Sequence, residues 1–187
     1  YNWEKFTNLM KILNYFGCLE DVNITDIGES IGSLRTENEL WVGLVLLSGY
    51  LDDLEPPDLA AVIQSISVEV RRSDSWCNFK PSSKVLDVFN ELESLKKLLS
   101  SQQNNYFIDL PIFLEKDLTG IVSQWARGQK WKEIIFNTSL DEGDVVRIIR
   151  RTIDVLSQIQ YCGSLSSKLK KNAKLTLKAI NRFPVSE

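Results

Sequence analysis

The 187-residue chain has no histidine, a single methionine and only three cysteines. The absence of histidine excludes Ser-His-Asp and Cys-His nucleophile pairs within the chain. It also removes the commonest transition-metal ligand. Cys18, Cys77 and Cys162 are odd in number, far apart and without a Cys-x-x-Cys. Neither a disulfide framework nor a zinc site is expected from them, and a reducing compartment is. No apolar run approaches the roughly 18 residues of a membrane span; the longest, Leu40 to Leu47, is interrupted only by Gly43. No membrane partner is therefore expected. The chain opens on Tyr1-Asn2-Trp3-Glu4, with no initiator Met and no basic segment leading into an apolar one. It shows no signal peptide and reads as a piece of a longer protein. Strand-like alternation is scarce: only Ile66, Val68 and Val70 alternate with polar residues, and what precedes them has helical spacing.

What remains is the composition of a folded domain, 43% hydrophobic and 25% charged, long enough to bury a core. The net charge of −3 hides an asymmetry. Residues 1–144 hold 13 Lys/Arg against 23 Asp/Glu, whereas residues 145–187 hold 9 against only Asp154 and Glu187. A basic quarter on an acidic body is either an electrostatic footprint for a polyanion or a basic helix docked on that body.

Apolar residues recur at helical spacing almost throughout. Trp3, Phe6, Met10 and Leu13 form one face, and Gly17 stops it. Thr25 is placed to cap a short helix through Ile31, and Glu37 to Leu47 reads as a buried helix. Pro56-Pro57 suits the first turn of a helix that continues from Leu59 to Val70. Ser73 to Ser83 reads as a loop, Lys84 to Leu99 as an amphipathic helix, and Ser100 to Asn105 as a polar break. Pro111 to Trp125 is expected to be helical, with Gly128 ending it. Lys130 to Phe136 makes one or two turns. Ser139 and Glu142 have capping-box spacing ahead of a helix to Ile159. Gly163-Ser164 separates a last helix, Leu165 to Ile180. The fold expected is all-α: a leader helix over residues 1–24, packed on the bundle or on a preceding domain, and a compact multi-helix bundle over 25–187.

The helix after Asp144 carries the chemistry. At ~100° per residue, Arg151, Asp154 and Gln158 fall within about 40° of Arg147, with Arg150 about 60° away. Val145, Val146, Ile148, Ile149, Ile153, Val155, Leu156 and Ile159 take the opposite arc. One face is apolar; the other is a stripe of guanidinium, carboxylate and amide. Arginine holds phosphate bidentately or stacks on a base, so such a stripe suits nucleic acid. The plainer account is a solvated face with an Arg151–Asp154 pair worth about 0.3 kcal/mol.

The segment Thr138-Ser139-Leu140-Asp141-Glu142-Gly143-Asp144-Val145-Val146-Arg147-Ile148-Ile149-Arg150-Arg151 resembles a signature of the DSHCT domain. That domain closes DExH-box RNA helicases of the antiviral and exosome-cofactor type and their cyanobacterial and plastid relatives. Trp125-Ala126-Arg127-Gly128 with Trp131-Lys132-Glu133-Ile134, Thr25-Asp26-Ile27-Gly28, Glu37-Asn38-Glu39-Leu40 and Leu54 to Val62 resemble further elements of the family in the right order. Arg71-Arg72-Ser73-Asp74-Ser75-Trp76 and the Arg182-Phe183-Pro184-Val185 ending look most similar to the cyanobacterial branch, then the plastid one.

The resemblance implies that the helix following Glu142-Gly143 is a ratchet-like helix lining a single-stranded RNA channel. Arg147, Arg151 and Asp154 would face the strand, with Arg150 and Gln158 beside them. The family often carries Glu where this chain has Asp154. ATP and magnesium would belong to the motor lobes of the parent helicase. This chain has no Gly-x-x-x-x-Gly-Lys-Ser/Thr loop and, lacking histidine, no DExH box, so no cofactor and no hydrolysis are expected of it. RNA processing in a cyanobacterial cytoplasm, or alternatively a plastid stroma, is the implied setting. Lys168, Lys171, Lys174 and Lys178 on the last helix offer a second RNA contact or an ordinary solvated face. Trp125 and Trp131 read as core rather than stacking platforms. A protein-docking module is the main alternative function. The carboxylates Asp52, Asp53, Glu55 and Asp58 read as a helix-start turn beside Pro56-Pro57, not as an acid/base or metal centre.

Overall fold

The computed structural model describes residues 2–187, and among them the fold is all-α. The helices are α1 (Asn2–Tyr15), α2 (Asp26–Gly32), α3 (Glu39–Leu47), α4 (Pro56–Ser67), α5 (Ser83–Asn105), α6 (Gly120–Ala126), α7 (Trp131–Phe136), α8 (Glu142–Ile159) and α9 (Ser167–Ile180). A two-residue antiparallel hairpin, β1 (Leu19–Glu20) and β2 (Asn23–Ile24), sits between α1 and α2.

The centre is α4. Every residue from Leu59 to Ile66 is buried, because α5, α6, α8 and α9 all pack on this helix. A helix enclosed on all sides needs apolar residues around its whole circumference, and Leu59, Ala60, Ala61, Val62, Ile63 and Ile66 supply them. Most of its polar groups find internal partners: Gln64 Nε2 donates to the Leu118 carbonyl at 2.8 Å, and the Ser65 hydroxyl donates to the Val62 carbonyl at 2.6 Å, whereas the buried Gln64 Oε1 has none.

Buried polar links account for the two largest departures from what the sequence predicts. Ser100 to Asn105 is not a break; α5 runs through it. Its Gln103 is buried, accepts from Asn38 Nδ2 at 3.0 Å and donates to the Leu110 carbonyl at 2.9 Å, so the polar residue is a structural link. Pro111 to Leu118 is not helical either. It runs extended, and side chains satisfy its backbone: Asn38 Nδ2 donates to the Pro111 carbonyl and Trp41 Nε1 to the Phe113 carbonyl. The Glu115 amide donates to the Ser65 carbonyl at 2.9 Å. The Glu115 carboxylate then receives the amides of Asp117 and Leu118, turning the chain into α6, while burial holds its pKa above the ordinary value. Tertiary partners override a helical pattern here. Smaller differences follow local rules: α4 ends at Ser67 with Val68 already extended, while α9 starts at Ser167 rather than Leu165, with Ser166 as its cap.

Two motifs behave as structural locks. Thr25 accepts the Gly28 amide at 3.0 Å, capping α2, and its hydroxyl donates to the Gly17 carbonyl at 2.6 Å. Gly28 lies under the hairpin so closely that a Cβ there would stand 2.0 Å from the Cys18 carbonyl oxygen. Trp125 is fully buried and donates Nε1 to the Ile180 carbonyl at 2.8 Å, while Arg182 stacks on its ring and donates to its carbonyl. Gly128, at φ +93°, ends this turn. At the N-terminus, α1 joins the core through Ile12 with Leu13 and Phe16 beside it, but Trp3 and Phe6 remain exposed.

Because a backbone carbonyl cannot move aside cheaply, Gly28→Ala is expected to destabilise the domain by roughly 2–3 kcal/mol. Gly32→Ala, with nothing within 4 Å of its Cβ position, should be neutral or mildly stabilising. Urea titrations of the two variants check this; equal midpoints would refute the packing argument.

Candidate nucleic-acid interface

Helix α8 starts at Glu142 with Asp141 as its cap, the Asp141 carboxylate accepting the Asp144 amide at 2.8 Å. The Ser139–Glu142 capping box does not form. Ser139 instead accepts the Trp76 amide, and Glu142 accepts Nε1–H of Trp131 at 3.0 Å. Acidic residues in this first turn suit the positive end of the helix dipole. A Cβ on Gly143 would meet only Asp141 Oδ1 at 3.4 Å, so no close neighbour requires that glycine.

Val145, Ile148, Ile149, Val155, Leu156 and Ile159 are buried against the bundle, joined by Thr152, whose hydroxyl donates to the Ile148 carbonyl at 3.0 Å. Val146 and Ile153 flank this face half-buried. The remaining face carries the arginine row, and two hollows border it. Arg147 lines the first with the loop after α4, including Arg71, Arg72 and Trp76. Arg151, Asp154 and Gln158 line the second with Arg35, Thr36 and Glu37, from the connection between α2 and α3. Arg147 and Arg151 thus stand one turn apart, about 6 Å along the axis, each opening on a different hollow.

The row is not uniform. Arg147 is half-buried; its nearest carboxylate is Asp144 at 3.9 Å, and its buried Nε has no hydrogen-bond acceptor. Arg151 and Asp154 are exposed, and no Arg151–Asp154 ion pair forms among the described residues. Arg150 is exposed but turns its Nε to the Val185 carbonyl at 3.0 Å, toward the C-terminal tail. Gln158 is held as a clasp: Oε1 accepts the Arg35 amide at 2.6 Å, and Nε2 donates to the Arg35 and Asp154 carbonyls. This fixes the backbone of Arg35, a cation that a reading of α8 alone does not include. Its only sequence signal is a basic residue in a short polar connection. Trp76 is the second omission, an exposed aromatic in an Arg-rich loop.

The lysines of α9 lie apart from this geometry. Lys168 pairs with Asp53 of the α3–α4 connection and holds that carboxyl below its usual pKa range. Lys171, Lys174 and Lys178 are exposed, and neither hollow along the arginine row includes a lysine of α9. Asp58, in the former carboxylate cluster, accepts the Ser82 hydroxyl that leads into α5. Among the described residues no cluster of His, Cys, Asp and Glu could hold a metal ion, and no helix is long and apolar enough to cross a membrane. Trp125 is core, and Trp131 packs edge-on against it at 5.3 Å.

An all-helical module that sets an arginine row between two hollows is the class this geometry defines. Residues 21–187 match the family model described as the DSHCT (NUC185) domain, and the chain belongs to that family, a domain of DExH-box ATP-dependent RNA helicases. It is similar to a chloroplastic DExH-box ATP-dependent RNA helicase of Arabidopsis thaliana, 34% identical over 99% of this chain and 16% of that protein. It is also similar to an uncharacterized helicase of Schizosaccharomyces pombe, at 23% identity over 92% of this chain and 17% of that protein. A probable helicase HelY of Mycobacterium leprae is 23% identical over 91% of this chain and 20% of that protein. The chain thus spans no more than a fifth of the length of these relatives.

Replacing Gln158 by Ala should release the Arg35 backbone and cost about 1–2 kcal/mol. Amide hydrogen exchange at Arg35 should accelerate by roughly 5- to 30-fold while α4 stays protected. An unchanged Arg35 amide would mean that the connection is held by something other than the Gln158 clasp.

Proposed function

We propose that this chain forms one wall of the single-stranded RNA path of an ATP-dependent RNA helicase, with Arg147 and Arg151 gripping the strand and Asp154 beside them. The observation that carries this reading is the row itself: Arg147 and Arg151 stand on the face of α8 turned away from the core and line two separate hollows. An arginine presents its N–H donors as a planar fork that suits phosphate or a base edge. Arg35 extends the grip at the second hollow. Arg150 and Gln158 support it, one against the C-terminal tail and the other by fixing Arg35.

ATP hydrolysis, with its magnesium, belongs to motor lobes elsewhere in the parent protein, and this chain contributes no hydrolysis of its own. The grip on the strand while the lobes open and close would make stepping directional. Kinship with a chloroplastic relative favours the plastid setting over a cyanobacterial cytoplasm. The exosome-cofactor and RNA-processing roles rest on the signature at Thr138 to Arg151. The lysines Lys171, Lys174 and Lys178 would act as a secondary contact, with Lys168 the weakest of them because of Asp53.

A second reading, a docking module for a protein partner, has one observation behind it. Trp3 and Phe6 stack on each other on an exposed face of α1, 77% and 53% accessible.

The test is fluorescence anisotropy with a labelled single-stranded RNA across a salt series. The Arg147→Ala/Arg151→Ala variant should bind on the order of tenfold more weakly or worse, and its log–log salt slope should be shallower by about 1.4. Equal affinity in a folded double variant would move the RNA path off α8. If neither protein binds RNA even within the whole helicase, the docking reading takes its place.

A further inference from the structure

The hollow at the head of the arginine row has a wall that RNA backbone contacts do not explain. It is about 520 Å³ in volume and is lined by the loop following α4 and the first turn of α8. The loop presents Trp76 to it with the indole 48% exposed. An exposed tryptophan on a loose loop would mean little, but this one sits on a fixed backbone. Its amide donates to Ser139 Oγ at 2.8 Å, and its carbonyl accepts both the Thr138 hydroxyl at 2.8 Å and the Ser139 amide at 3.0 Å. The neighbouring Asn78 is tied to Asn137 by backbone and side chain alike. The ring is therefore held out beside α8 by the same segment that leads into that helix.

Charge decides what the hollow takes. Arg71, Arg72 and Arg147 face Glu69, Asp74, Asp141 and Asp144, four carboxylates against three guanidinium groups. Such a wall does not attract phosphate. It does offer acceptors for the amino group of a base and, on Arg147, guanidinium N–H donors. A flat aromatic face, acceptors for an amine and a guanidinium donor together match a nucleobase.

We propose that this hollow receives one base turned out of the RNA strand, stacked on Trp76, with its exocyclic amino group toward the carboxylates. The inference rests on the reading of α8 as the RNA path and adds a base-binding subsite to it. Adenine, cytosine and guanine carry the amino group and uracil does not, so the subsite confers a preference against uridine at one position. Stacking on an aromatic side chain is tolerant of base identity; the carboxylates supply the discrimination.

The experiment uses the full-length protein that carries this domain, with labelled oligocytidylate, oligouridylate and an abasic ribose-phosphate strand of equal length. Trp76→Ala should weaken oligocytidylate binding roughly tenfold, abolish the preference over oligouridylate and leave the abasic strand unaffected. Trp76→Phe should retain most of the wild-type affinity, which separates loss of stacking from loss of structure. Two results would overturn the subsite while sparing the RNA path: equal losses on base-bearing and abasic strands, or no loss in Trp76→Ala alongside a clear loss in Arg147→Ala/Arg151→Ala. If neither variant alters binding of any strand, the subsite and the α8 path both fall.

Discussion

The burial of α4 on every side is the constraint from which the rest of the molecule follows. An enclosed helix can shed apolar surface in all directions, but each polar atom on it must be met from within the protein. Gln64 Nε2 and the Ser65 carbonyl meet that demand by drawing in the chain between α5 and α6, while Gln64 Oε1 is left without a partner. This forces an extended path where the amphipathic pattern alone reads as helix. The same enclosure fixes α8 and α9, which both lie against α4. The arginine row is rigid because the apolar face behind it is locked into this core, not because of contacts among the arginines.

The segments that most resemble the family turn out to be mainly structural devices. Thr25 and Gly28 seat a hairpin on a helix start. Trp125 and Gly128 anchor the C-terminal segment through Ile180 and Arg182. Glu142 ties α8 to α7 through Trp131. None of these groups faces the hollows beside the arginine row. The motifs that identify the fold and the groups that would touch RNA therefore overlap only in part: the helix after Gly143, the Arg71–Trp76 loop and Glu37–Asn38 carry both, and the rest are scaffold. This is the general division between scaffold and grafted site.

Most of the architecture was legible because helical periodicity and capping are local signals. The cap at Thr25 and the long apolar face of α8 depend on residues within a few positions. The extended path through Pro111 to Leu118 was not legible, since its hydrogen-bond partners Asn38, Trp41 and Ser65 lie some 50 to 70 residues away along the chain. The candidate site divides in the same way. The row Arg147, Arg151 and Asp154 follows from one helix and could be placed on a wheel. Arg35 and Trp76 reach it from other parts of the chain, through the Gln158 clasp and the Thr138–Ser139 tether. A periodicity argument is blind to both, because it sees one element at a time.

The charge asymmetry of the sequence also acquires a different meaning in three dimensions. The basic final quarter does not form one patch. Lys168 is paired, Arg182 stacks inward on Trp125, and Arg150 is bound to a backbone carbonyl. The cations left along the hollows are few, and carboxylates interrupt them at Asp144 and Asp154. At physiological salt, exposed charges beyond about 8 Å contribute little, so the grip on a strand would depend on a small number of local contacts. That suits a surface past which a polymer must move. A continuous basic groove would lengthen the residence of each nucleotide, whereas in the proposed RNA path two arginines flanked by carboxylates would hold a strand and let it go within one cycle of the motor.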